Sequence, residues 1–181
     1  MAPGKKVLGE ERRDFILKLL KKSHHPITGS EFSKKTNVSR QVIVNDITLL
    51  KARNEPIIAT SQGYFYLSSS PQETIIERTV ACIHSPEETE NELNLLVDQG
   101  VMVKDVRVEH PIYGDLTASI MVSNRKEVDQ FMQKVRETKA SFLSQLTNGV
   151  HLHTLCAKDR VTLDEAVHAL HENGYLFEEF E

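Results

Sequence analysis

Along the first part of the chain, Phe15, Ile16, Leu19 and Leu20 recur at helical spacing and predict a helix over about residues 9–22. The loop Ser23-His24-His25-Pro26 ends it. Thr28, followed three residues later by Glu31, is a capping box that opens a short second helix reaching about Thr36. Ser39 reads as the N-cap of a third helix, over about 40–53, whose apolar side is Ile43, Ile47 and Leu50. The period then changes: residues 56–60 and 64–67, joined through Ser61-Gln62-Gly63, read as a hairpin. Three helices and a hairpin in this order predict a winged helix-turn-helix over residues 1–68.

A second pattern follows the polar stretch Ser68-Ser69-Ser70-Pro71-Gln72-Glu73, which is linker-like and marks a domain boundary. Residues 74–83 read as a strand and 88–99 as a helix ended by Gly100. A hairpin with strands near 104–111 and 115–122 turns at Tyr113-Gly114. Val128, Phe131, Val135, Phe142 and Leu146 then predict one long amphipathic helix over about 124–146. A strand at 149–157 and a last helix, with Thr162 and Glu165 as its capping box, complete the order β-α-β-β-α-β-α. The fold class predicted for the whole chain is α+β, with a split-βαβ, ferredoxin-like domain over 72–181.

Charge divides at the same place. Residues 1–70 carry 12 Lys+Arg against 6 Asp+Glu, whereas residues 71–181 carry 10 against 20. A basic half joined to an acidic half suits a polyanion-binding module followed by a regulatory one. No apolar stretch approaches the roughly 20 residues of a membrane helix, and the first residues lack the apolar core of a secretory signal. Cys82 and Cys156 read as unpaired, half-buried thiols, which places the protein in the cytoplasm.

The third helix has a polar side made of Ser39, Arg40, Gln41, Val44, Asn45 and Thr48. Arg, Gln and Asn near a helix N-terminus can make bidentate contacts to base edges in the major groove. Lys34, Lys35 and Lys51 flank this face and suit phosphates. On the hairpin, Thr60, Ser61, Gln62 and Tyr64 are candidates for contacts from the wing. The bland alternative is a helical interaction module with a solvated polar face.

Six of the eight histidines follow the linker. His168 and His171 share a helix face and read as surface residues, as do His24 and His25 in their loop. His151 and His153 are two apart on a strand, so both rings point to one face. Two imidazoles so placed are either a pair of metal ligands or an ordinary polar face. His84 ends the first strand of this domain and Glu92 lies early in the next helix. If the strand of His84 neighbours that of His151, the four residues form a three-histidine, one-carboxylate site. Such a set suits nickel, zinc or iron(II) rather than calcium or magnesium. His110 precedes Pro111-Ile112-Tyr113-Gly114 and is either a further candidate or the cap of a tight turn.

The runs NVSRQVIVNDITLLK, PIIATSQGY, Cys82-Ile83-His84, the stretch from Val108 to Asp115 (VEHPIYGD) and Gly149-Val150-His151-Leu152-His153 carry a resemblance. Over nearly its whole length the chain resembles the niacin-responsive repressors of NAD biosynthesis, which join a winged helix to a three-histidine (3H) domain. The resemblance implies metal ligands at His84, Glu92, His151 and His153, with His110 as the remaining named histidine. It also implies repression of genes for NAD synthesis or niacin uptake, with nicotinic acid as co-repressor and operator DNA read by a homodimer. Nicotinate offers a carboxylate and a ring nitrogen for an open metal position, with its ring among groups such as Tyr113.

Two other readings compete. One is a repressor that responds to metal alone. The other is a metal-dependent enzyme fused to a winged helix, with Glu87, Glu88 or Glu90 as a spare carboxylate. The chain has no GxxxxGK[ST] or GxGxxG run, so the expected reading is a regulator and not an enzyme.

Overall fold

The computed structural model describes residues 8–23, 25–67 and 75–177. The chain divides into two compact units, Met1–Ser70 and Pro71–Glu181. The polar linker at 68–73 and His24 lie outside the described residues.

The first unit contains helices α1 (Gly9–Lys22), α2 (Gly29–Thr36) and α3 (Arg40–Ala52), followed by β1 (Ile57–Thr60) and β2 (Gly63–Tyr66). Its core is built from the apolar faces legible in the sequence: Ile16, Leu20, Phe32, Ile43, Ile47, Leu50 and Ile57 are all buried. Each such side chain contributes roughly 1.5–3 kcal/mol by leaving water. The Thr28–Glu31 capping box is present, with both reciprocal hydrogen bonds. The Ser39 hydroxyl accepts from the Val42 N–H and starts α3. Asn37, in the left-handed conformation that asparagine tolerates, makes the tight turn between α2 and α3. The strands β1 and β2 pair antiparallel, and Ile27 adds an isolated bridge to Tyr64. That bridge requires glycine at position 63, because a Cβ there would lie 2.6 Å from the Ile27 carbonyl oxygen. α3 is tied to α1 by a buried ion pair in which Arg12 donates to both oxygens of Asp46, at 2.5 and 3.3 Å. Arg13 donates to the same carboxylate at 3.2 Å.

The second unit contains β3 (Ile76–Ile83), α4 (Thr89–Asp98), β4 (Met102–His110), β5 (Gly114–Val122), α5 (Arg125–Thr138), β6 (Val150–Ala157) and α6 (Arg160–Glu172). Its antiparallel sheet has the order β3-β6-β4-β5. The α+β class and the element order are those the sequence predicts. β3 and β4 form a split βαβ unit, but the strand between them is the last of the domain. In the ferredoxin arrangement the third strand takes that place, so the likeness is one of element order. Val80, Cys82, Val103, Val122 and Leu155 of the sheet pack with Leu93, Leu96, Val128, Leu163 and Leu170 of the helices in one core.

Two expectations need correction. The helix predicted over 124–146 ends at Thr138, where Lys139 turns left-handed and caps it; a separate 3-10 turn, Leu143–Thr147, follows. Its apolar spacing continued because Phe142 returns to pack near Phe131, with ring centroids 6.4 Å apart. The last helix is capped by Asp159, whose carboxylate accepts from the Thr162 N–H. Thr162 is therefore inside that helix rather than its cap.

Candidate metal centre and nucleic-acid interface

The pairing of β3 with β6 decides the fate of the histidines. Cys82 stands opposite His151 and Val80 opposite His153, so the inward face of β6 continues across β3. His84 follows directly beyond the end of β3. α4 lies over this face and lowers Glu92 onto it, and the Glu92 side chain is fully buried. The Oε2 atom of Glu92 is 2.8 Å from His84 Nε2, 3.3 Å from His153 Nε2 and 3.5 Å from His151 Nε2. The three imidazole side chains are only 2–4% exposed.

Each ring is oriented from behind. Nδ1 of His84 donates to the Ser85 carbonyl at 2.7 Å, that of His151 to the Gly149 carbonyl at 2.8 Å, and that of His153 to the Asp105 carbonyl at 2.7 Å. A carbonyl oxygen only accepts, so these bonds assign a proton to Nδ1 and leave Nε2 of each ring facing the Glu92 carboxylate. The second oxygen of Glu92 is buried without a hydrogen-bond partner among the described residues. Converging lone pairs around a buried, half-satisfied anion call for a cation. Ligands about 2.0–2.2 Å from a zinc-sized ion stand roughly 3.0–3.5 Å from each other; His153 and His151 keep that spacing from Glu92 Oε2, and His84 is closer at 2.8 Å. The donor chemistry and the carbonyl-held rings fit a divalent transition ion.

Electrostatics agree. Burial by itself raises the pKa of Glu92, but His153, His151 and His84 more than offset this and hold it well below the usual carboxylate range. Burial lowers His84 and His153, yet the same carboxylate carries both above the ordinary histidine value. Protons are thus drawn to the lone pairs that a metal would use.

Several contributors were missed at the level of sequence. A β-bulge near Asp105 shifts the register between β4 and β6 and brings its carbonyl to His153. Gly149, at φ 93°, is demanded by close approach, since a Cβ there would lie 2.5 Å from the His84 carbonyl oxygen. Tyr175 packs edge-on against His84, with centroids 5.6 Å apart, and donates its hydroxyl proton to Glu88 at 2.8 Å. Cys82 is fully buried beside the cluster rather than half-buried in an apolar strand. Its dependence on strand register hid it, although its spacing of two from His84 was a signal.

His110 and Tyr113 are brought to each other, with centroids 5.0 Å apart. His110 Nδ1 accepts from the N–H groups of Ile112 and Tyr113, so its turn-capping role is the one the structure shows. Tyr113 is 73% exposed at the hairpin tip. The opening beside the cluster is a different one: a cleft of about 620 Å³ lined by Ile83, His84, Ser85, Pro86, Ser144, Gln145, Asn148 and Gly149. Glu88 and Glu90, considered as spare carboxylates, are engaged by Tyr175 and by Arg136.

In the first unit, Ser39, Arg40, Gln41, Asn45 and Thr48 form one exposed stripe on α3, with Val44 half-buried among them. Gln41 donates to Asn45 at 3.1 Å, holding two of the amides side by side. The Arg40 side chain lies over Gly29 near the edge of Tyr64. Thr60, Ser61 and Gln62 form the half-buried wing turn, where the Thr60 hydroxyl accepts from the Gln62 N–H and donates to the Gly63 carbonyl. Tyr64 differs from expectation. Its backbone is paired with Ile27 and its ring packs on the domain core, so it supports the wing and Arg40 rather than standing free. Lys34, Lys35 and Lys51 are exposed around the stripe.

A helix-turn-helix with a wing, followed by a domain in which three of the histidines meet one buried glutamate, has the make-up of a DNA-binding regulator. Residues 12–65 match the HTH domain model and residues 77–179 the 3H domain model. The chain is 58% identical over 175 residues to Transcription repressor NadR of Bacillus subtilis (strain 168), covering 96% of this chain and 97% of that protein. It is 37% identical over 174 residues to Probable transcription repressor NiaR of Thermotoga maritima, covering 96% and 98%. The chain belongs to this family of transcription repressors with an HTH and a 3H domain. It is a repressor rather than an enzyme. No helix among the described residues is long and apolar enough to cross a membrane.

Proposed function

We propose that this repressor controls genes of NAD synthesis or niacin uptake, with nicotinic acid as co-repressor and a divalent transition ion in the 3H domain. The observation that carries the metal assignment is the convergence of three carbonyl-held imidazoles on buried Glu92. His84, Glu92, His151 and His153 would hold nickel, zinc or iron(II). The ion would neutralise the buried carboxylate and cross-link β3, α4 and β6. The names of the relatives and the resemblance read from the sequence support the NAD-related role.

Direct coordination of nicotinate needs a side of the site open to solvent, and the cluster side chains are at most 4% exposed. The 620 Å³ cleft is the better place. Its walls include Ser85 and Gly149, whose carbonyls orient His84 and His151. A ligand wedged there therefore acts on the same backbone that sets the metal site. Such linkage couples the two by a free energy of typically about 1–3 kcal/mol.

On DNA, Ser39, Arg40, Gln41, Asn45 and Thr48 read the major groove, with Val44 beside them. The Thr60-Ser61-Gln62 turn meets the backbone from the wing. A homodimer reading a pseudo-palindrome would require half-sites spaced to match its two α3 helices. The test is binding of the metal-loaded full chain to promoter DNA from the host's NAD-synthesis or niacin-uptake genes, with and without nicotinate. Tightening by about tenfold or more, roughly 1.4 kcal/mol, is the expected result. Affinity that ignores nicotinate but collapses on chelation would make this a repressor responding to metal alone.

A further inference from the structure

The four residues above are not the only donors at this point. One donor atom each of Cys82, Glu92 and His151 lie within 4.8 Å of one another, and all three residues are buried. Cys82 faces His151 across the β3–β6 ladder, and residues paired in this way share a sheet face with Cβ atoms about 4.5–5.5 Å apart. Cys82 and His151 thus share the sheet face beneath Glu92, whose carboxylate His153 also meets at 3.3 Å. His84, one residue past the end of β3, reaches the same carboxylate at 2.8 Å. The Cys82 thiol is free and 0% exposed, and one oxygen of Glu92 beside it has no hydrogen-bond partner among the described residues. Cys156 lies on the same strand as His153, three residues on, and so belongs to the opposite face.

We propose that Cys82 supplies a fifth donor, giving a centre of three nitrogens, one carboxylate oxygen and one sulfur. This rests on reading the cluster as a metal centre. The thiol proton passes to solvent as the sulfur–metal bond forms, with no change of oxidation state. A thiolate in the set biases the site toward zinc, nickel or cobalt and against manganese or magnesium.

Cobalt(II) titrated into the metal-free full chain tests this by its absorption. A thiolate-to-cobalt charge-transfer band in the near ultraviolet is expected for the wild type and for Cys156→Ser. Because the chain has only Cys82 and Cys156, these two spectra identify the sulfur without altering Cys82 itself. Cys82→Ser should lose the band and bind cobalt more weakly by more than about tenfold, the loss that even an outer partner of a ligand can give. Cobalt bound with visible bands but without the sulfur band in the wild type overturns the Cys82 assignment alone. So does a band that vanishes in Cys156→Ser. No cobalt binding at all overturns both the metal centre and the fifth donor.

Discussion

The polar stripe of α3 and the polar cluster under α4 are made from similar side chains placed in opposite surroundings. On α3, Arg40, Gln41, Asn45 and Thr48 stand in water, where an unsatisfied donor costs nothing and stays available for a base edge or a phosphate. Under α4, His84, Glu92, His151 and His153 are shut away from water. There each lone pair needs a partner, and the backbone carbonyls supply partners only for the Nδ1 side. One region is therefore built to be completed by a large partner that comes and goes. The other is built to be completed once, by something the size of an ion. The two are held differently too: the stripe rests on apolar packing and the buried Arg12–Asp46 pair, the cluster on a ladder register and three carbonyls.

The largest effect is expected where the first unit itself hides a charge. Asp46→Ala takes away the carboxylate that buried Arg12 donates to, and losing one partner of such a pair costs about 3–5 kcal/mol. Urea unfolding should show that loss confined to the N-terminal unit, with metal binding unchanged. A change within about 0.5 kcal/mol, the scale of an ordinary surface substitution, would show that the pair does not anchor α3.

The metal-free cluster should next reveal itself through pH. His84 and His153 are raised above 6.5 in the folded chain, so their contribution is present below that pH and is lost as pH rises through their folded values. Glu92 is depressed below 4.5, so its contribution is present above that pH and is lost on strong acidification. Thermal unfolding of chelated protein should therefore give the C-terminal unit its best stability in the mildly acidic range, with a decline toward alkaline pH. Stability that climbs steadily toward alkaline pH would contradict the proton-holding cluster.

Smaller effects belong to the exposed stripe. Arg40→Ala should cost about 1–3 kcal/mol of operator binding, selectively at one base position; an equal loss on every sequence would make it a phosphate contact. Smaller still, Thr28→Ala removes one half of the capping box beside the wing and should lower stability by about 1 kcal/mol. Circular dichroism melts will show whether the cap matters when Ile27 is already bridged to Tyr64.

Much of this architecture was legible because periodicity fixes faces. Ile43, Ile47 and Leu50 pointed inward and Arg40, Gln41 and Asn45 outward on helical spacing alone, while His151 and His153 shared a face on strand spacing alone. Pairing, however, is a property of the ladder and not of the strand. Only the β3–β6 register puts Cys82 opposite His151, and only the bulge at Asp105 aims a carbonyl at His153. The helix predicted through Leu146 failed for a related reason: the spacing that buries Phe142 says which core it reaches, not whether the backbone stays helical past Lys139. Tyr64 was only half legible: an aromatic ring suits both a DNA contact and a core edge, and its packing on the core beside Ile27 shows up only in the fold.

Metal stoichiometry in the full-length chain tests the central claim most directly, measured by dialysis against nickel or zinc followed by elemental analysis. The account predicts one ion per wild-type chain and none in the His151→Ala, His153→Ala double variant, with the N-terminal unit still folded. A wild-type chain that takes up no ion, or a double variant that keeps a full complement, would contradict it.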